Sequence, residues 1–329
     1  MENETNNDQI WNDDGINRAE FLKCMAWAGT GVFFMMNGGV LKSFGMSQMI
    51  DKATGMLKSG LIMPKSDFCF VQISDSHIGF NKPANTDVVG TLKAAVDKIN
   101  GMPVTPSFIL HTGDLTHLSQ ADEFDTVDQV LKSAKSEKVF YVPGEHDVST
   151  DNGKQYLARY GKGTNGDGWY SFDSYGVHFI ALVNVVNMAE GGLGFLGNDQ
   201  LEWLEKDLKG LSKSTPIVVF AHIPLWAVYP QWGWGTTDSA KVLSYLKRFG
   251  SVSILNGHIH QTIQKVEGNI TFHTAMSTAF PQPKPGEAPS PGPMKVPTEK
   301  LRSYLGLTSV NYVEHAHTLA ITDSPLIEG

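Results

Sequence analysis

Five short clusters carry most of the chemistry open to this chain: Asp75-Ser76-His77, Gly113-Asp114, Gly144-Glu145-His146-Asp147, Ala221-His222 and Gly257-His258-Ile259-His260. In an extended segment, residues two apart point the same way, so Asp75 with His77, and His258 with His260, are expected to reach one ion. The adjoining glycines let the backbone turn sharply and approach such a site closely. Carboxylate and imidazole donors without thiolates suit first-row ions such as Mn, Fe, Zn or Co. Each cluster alone is a weak signal, since Gly-Asp is usually a turn and a lone histidine usually a satisfied polar residue. Together, in order and each behind a short apolar run, they point to one shared metal centre.

The elements that must position these residues can be read from apolar patterning. Short apolar runs at 68–73, 108–111, 139–142, 177–183, 216–221 and 252–255 predict strands. Helical spacing of apolar residues at 91–99, 121–134, 198–208 and 239–248 predicts helices between several of them. Alternating strands and helices predict an α/β domain with a parallel or mixed sheet, whose ligands bind beyond the carboxyl ends of the strands. Residues 281–297 hold seven of the sixteen prolines and predict a long surface connection that either covers the cleft, makes a dimer contact or is solvated.

Composition narrows the field further. A chain of 329 residues can bury a large core without disulfides, and no second core or internal repeat is visible. Cys24 and Cys69 are too few for a disulfide framework or a cysteine-rich zinc site. A net charge of -8 argues against a broad nucleic-acid-binding face. No uninterrupted apolar run reaches the roughly 18 residues of a conventional membrane span.

The ordered motifs D-x-H, G-D, G-E-H-D, H and G-H-x-H resemble those of the calcineurin-like metallophosphoesterase superfamily over about residues 67–275. That resemblance implies a four-layer αββα sandwich with two mixed sheets flanked by helices. It implies two metal ions, Fe and/or Mn with Zn or Co as alternatives. Asp75, His77, Asp114 and His260 would hold the first ion; Asp114, Glu145, His222 and His258 the second, with Asp114 bridging. The implied activity is hydrolysis of a phosphodiester or phosphomonoester by a hydroxide that bridges the metals. By the same match His146 would bind the phosphate and protonate the leaving alkoxide, and Asp147 would orient His146 through its other ring N–H.

One motif residue departs from the family, which normally has Asn where this chain has Glu145. A carboxylate there would let three carboxylates and one hydroxide balance two divalent ions, so a trivalent iron is expected in one position; alternatively Glu145 turns away and the second site is weak. The expected partner is a small phosphate ester and no nucleic acid. A nuclease, or a non-catalytic scaffold that kept the fold, is the alternative.

Residues 1–17 are acidic and Asn-rich and read as a disordered lead, followed by a signal-like or anchor segment at 18–45 and a linker at 46–66, before a domain at 67–325. Arg18-Ala19-Glu20-Phe21-Leu22-Lys23 resembles a twin-arginine export signal with Ala19 in place of the second arginine. A periplasmic or exported location is expected, with contact to export machinery or a membrane surface; without a working signal the chain would stay cytoplasmic. The alternative is a helix belonging to the fold. Trp226, Tyr229, Trp232 and Trp234 could stack on an apolar leaving group or simply pin their own loop. His111 reads as structural and His117 as a candidate substrate contact; Asn184 and Asn187 line the cleft or belong to turns. His178, His273, His315 and His317 have no motif context.

Overall fold

The computed structural model describes residues 32–37, 40–45, 68–313 and 318–327. Strands β1 (Val32–Asn37) and β2 (Val40–Gly45) pair antiparallel. The described part of the segment at 18–45 is therefore a pair of antiparallel strands rather than a helix; the rest of it, the lead, the linker, His315 and His317 lie outside the described residues.

From β3 (Phe68–Ile73) the chain alternates between strands and helices. Helix α1 (Val88–Asn100) is followed by β4 (Phe108–His111), α2 (Ala121–Leu131) and β5 (Val139–Tyr141). Short helices α3 (Glu145–Val148) and α4 (Lys154–Tyr160) lead to the hairpin of β6 (Tyr170–Ser174) and β7 (Val177–Ala181). Then come α5 (Asn198–Leu208), β8 (Ile217–Ala221), α6 (Ser239–Leu246) and β9 (Val252–Asn256). The chain finishes with β10 (Gln264–Glu267), β11 (Ile270–Thr274), α7 (Leu301–Tyr304), β12 (Gly306–Val313) and β13 (Thr318–Pro325).

Two mixed sheets result, ordered β13-β12-β3-β4-β5 and β10-β11-β9-β8-β7-β6. Strands β3, β4 and β5 are parallel, as are β7, β8, β9 and β11. Alternation explains the layering. Phe68 and Phe70 of β3 meet Val218 and Phe220 of β8 in the core between the sheets. Val71 and Ile73 point the other way, onto Leu92, Val96 and Phe124 of α1 and α2. Val219 and Ile254 likewise meet Leu204 of α5 and Val242 of α6. Strands buried on both faces need continuous apolar runs, which is why these read so clearly in the sequence. The predicted four-layer αββα sandwich is the observed fold.

Helix α1 shows the local logic. The Asp87 side chain accepts the Gly90 N–H at 2.8 Å and caps the first turn. Val88, Leu92, Ala95, Val96 and Ile99 fall on one buried face. Leu92 is fully buried, and truncating it to alanine is expected to cost about 2–5 kcal/mol. Among the described residues no helix is long and apolar enough to cross a membrane.

Candidate metal centre

The seven predicted ligands follow the carboxyl ends of β3, β4, β8 and β9 and the end of β5, so both sheets contribute. Parallel pairing continues past β3: the Asp75 N–H donates to the Gly113 carbonyl at 3.0 Å and the His77 N–H to the Asp114 carbonyl at 2.9 Å. The backbone there is not extended, contrary to the D-x-H and H-x-H expectation. Asp75, His77, Asp114, His258 and His260 all have positive φ, between 40° and 71°. Such conformations cost roughly 1–3 kcal/mol each and persist only where the surroundings over-determine them. Left-handed kinks, not strand alternation, aim these side chains at one another.

Glycines make the approach possible at two points. Gly113 has φ 96°, and a Cβ on it would lie 2.5 Å from Nδ1 of His222. A Cβ on Gly144 would lie 2.1 Å from Oδ1 of Asp114.

Asp114 is the pivot. Its Oδ1 accepts the His146 backbone N–H at 2.9 Å. Its Oδ2 lies 3.4 Å from Nε2 of His77 and 3.5 Å from Nε2 of His222, facing both half-sites. In the first half-site, Nε2 of His260 is 3.3 Å from Oδ1 of Asp75 and 3.1 Å from Nε2 of His77. In the second, Glu145 spans two imidazoles, with Oε2 2.8 Å from Nε2 of His222 and Oε1 3.0 Å from Nδ1 of His258. Glu145 therefore faces the centre and does not turn away.

These residues fit a metal pair. His222 donates Nδ1–H to the Thr112 carbonyl at 2.7 Å and His260 donates Nδ1–H to the Phe280 carbonyl at 2.6 Å, leaving each Nε2 for an ion. Oε2 of Glu145, Nε2 of His222 and both ring nitrogens of His258 are buried without an aligned hydrogen-bond partner. Buried polar atoms are normally satisfied, so such a cluster of orphans of donor type points to an ion. Asp75, His77 and His260 form one group of donor atoms within 4.8 Å, and Glu145, His222 and His258 another.

The electrostatics agree. Burial would raise the Asp75 carboxyl, but His260 and His222 hold it below its ordinary value. Burial opposes ionisation of Glu145 too, yet His258 and His222 keep it well below the usual carboxylate range. Burial and the neighbouring His146, His260 and His117 hold His77 well below its ordinary value, in the neutral form that ligates metals. For His222 burial favours the neutral ring, but Asp114 and Glu145 outweigh it and raise it, so an ion must displace a proton there.

His146 keeps the position its motif predicts. It donates Nδ1–H to the His117 carbonyl at 2.8 Å, which leaves Nε2 available to the site. Burial would lower its pKa, but Asp114 and Glu145 raise it and favour the cationic ring.

Asp147 requires a correction, because its carboxylate does not accept from the His146 ring. It accepts the N–H groups of Gly144, Leu115 and Thr116 at 2.8–3.1 Å and the Thr116 hydroxyl at 2.8 Å. A main-chain carbonyl has taken the role assigned to it, and Asp147 instead ties the Asp114 loop to the Glu145 loop. Burial and Asp114 push its pKa up to about 7 against the pull of those N–H groups.

Other candidates sort by burial and contact. His111 is fully buried, 2.7 Å from the Ser76 hydroxyl, and burial holds its pKa at about 3. Asn184 is buried and grips the chain just after His222, donating to the Ile223 carbonyl and accepting its N–H. Asn256 acts alike on the Ala221 and Ile223 carbonyls. Asn187, by contrast, is exposed. Trp226 and Trp234 are buried, which favours a loop held by its own aromatics, while Tyr229 and Trp232 stay partly open.

The proline-rich segment is anchored at its start. Phe280 stacks 4.8 Å from the His77 ring and lies tilted 4.7 Å from the His260 ring, and Gln282 donates to the His258 carbonyl. From Lys284 onward it is largely exposed. Sequence reasoning missed the carbonyls of Thr112, His117 and Phe280 that orient three histidines, because a main-chain atom leaves no trace in residue type.

Residues 69–262, more than half of the chain, match the family model described as calcineurin-like phosphoesterase, and the chain belongs to that family. It is a hydrolase acting on phosphate esters. A 3′,5′-cyclic-nucleotide phosphodiesterase of Nostoc is 23% identical over 222 residues, covering 66% of this chain and 80% of that protein. A serine/threonine-protein phosphatase of Danio rerio is 25% identical over 223 residues, covering 59% and 70%. A dimetal phosphatase of Danio rerio shares the fold with TM-score 0.57 at 17% identity, over 80% of this chain and 98% of that one.

Proposed function

We propose that the protein hydrolyses a small phosphodiester at this centre, with one ion in each half-site. The observation that carries the reading is Oδ2 of Asp114, placed within 3.5 Å of a histidine from each half-site. Two ions held there would polarise phosphoryl oxygens and acidify a water for attack at phosphorus. Asp75, His77, His260 and Asp114 hold the first, and Asp114, Glu145, His222 and His258 the second. His146 presents Nε2 to the site as a donor to the phosphate and a proton source for the leaving oxygen. Asp147 keeps the loops of Asp114 and Glu145 in register.

Two considerations favour a diester. The Glu145 carboxylate cancels positive charge at the centre, which weakens attraction for a monoester dianion more than for a diester monoanion. Relatives are also named for cyclic-nucleotide and glycerophosphodiester hydrolysis. The same carboxylate favours trivalent iron in one position, with a divalent ion such as Mn in the other. Purified protein assayed on bis(nitrophenyl) phosphate and nitrophenyl phosphate tests the reading, with the diester expected to turn over faster. Hydrolysis of neither by protein holding two ions would overturn it, and two divalent ions without iron in freshly isolated active protein would overturn the iron assignment.

A further inference from the structure

His117 lies three residues beyond Asp114 and belongs to neither half-site. Its ring is nearly parallel to that of His146, with centroids 4.7 Å apart and 19° between planes. The His77 ring stands edge-on at 5.6 Å and the Phe80 ring at 5.2 Å. One nitrogen from each of His77, His117 and His146 lies within 4.8 Å of the other two. His77 turns Nε2 to Asp114 and His260, and its Nδ1 is buried without a hydrogen-bond partner.

The decisive detail is Nδ1 of His117, which is buried and has no hydrogen-bond partner. A phenyl ring would fill the same space without desolvating a nitrogen, so packing does not account for an imidazole here. The main chain of His117 already fixes the tautomer of His146 by accepting its Nδ1–H. Its side chain adds a second imidazole to the same edge of the cleft. The exposed Lys82, 6.0 Å from the centre of the Phe80 ring, adds positive charge nearby.

We propose that His117 is a second substrate-binding imidazole, which hydrogen-bonds an oxygen of the phosphate ester beside His146. This rests on the phosphoesterase reading above. The test compares wild type with His117→Phe, which keeps the ring shape and removes both nitrogens, and with His117→Gln, which restores a polar group. Metal content, melting temperature, kcat/KM on bis(nitrophenyl) phosphate and competitive inhibition by inorganic phosphate are measured on each.

His117→Phe is expected to keep two ions and melt no lower than wild type. Its kcat/KM should fall roughly tenfold or more, with inorganic phosphate a weaker inhibitor by a similar factor, and His117→Gln should regain part of both. Wild-type kcat/KM and phosphate inhibition in His117→Phe would overturn the proposal. So would loss of an ion from that variant, which would place the imidazole in the metal centre. A metal-loaded wild type that hydrolyses no ester would instead sink the phosphoesterase reading, and this assignment with it.

Discussion

The two halves of the centre are built from the same donor types and sit in different surroundings. In the first, the side chains of Asp75, His77 and His260 are at most 3% exposed, with Phe280 packed over both imidazoles. In the second, His222 is sealed, but Glu145 is 23% and His258 11% exposed. Each half also has two carboxylates and two imidazoles once Asp114 is counted in both. The difference is therefore access, not chemistry: the deep half should keep its ion while the open half exchanges ion and meets substrate.

The largest expected effect breaks both halves together. Asp114→Ala removes the carboxylate oxygen that lies within 3.5 Å of a histidine from each half, and should leave less than one ion per chain and cut turnover ~10³-fold or more. Two retained ions, measured by elemental analysis, would mean the halves are independent. Next, His146→Gln should lower kcat by about 10²–10⁴-fold with both ions still bound, since it removes a proton donor and no ligand.

Chelation sharpens the contrast itself. Timed chelator treatment should remove one ion quickly and the other slowly, giving a plateau at one ion per chain. His258→Ala should abolish the fast phase and His260→Ala the slow one. A single phase for both ions would refute the difference in access. Phe280→Ala should cost about 3–5 kcal/mol by thermal or denaturant unfolding, and speed ion loss from the deep half.

The smallest effect lies away from the centre and serves as a control. His178 donates to Asp173 and Asp207 at 2.8 and 2.9 Å; burial would lower its pKa, but those hydrogen bonds raise it. Its stabilisation is fully present below the unfolded value of about 6.5 and is lost as pH rises through the higher folded value. His178→Gln should flatten the melting temperature against pH in that window by a few degrees, without changing metal content.

Most of what positions the centre was legible in the chain. The inner strands are buried on both faces, so their apolar runs stand out, and the helices between them show a clear buried stripe. Strands β6, β10, β11, β12 and β13 were not read. β10 is largely exposed and leaves no local apolar signature, and the pairing of β12 with β3 joins distant parts of the chain, which no local pattern reports. The seven candidate ligands do come together, but left-handed backbone, not the expected extended geometry, brings them there.

Residue order alone determined which groups would meet, since donor types and glycines at strand ends are written in the chain. Tertiary structure alone decided how they meet: that Oδ2 of Asp114 faces both halves, that Asp147 serves the loops, and that carbonyls set the histidine tautomers. Local periodicity fixes direction within one strand. Distances between side chains on two different sheets depend on how those sheets pack, and that is set by contacts between residues far apart in the sequence.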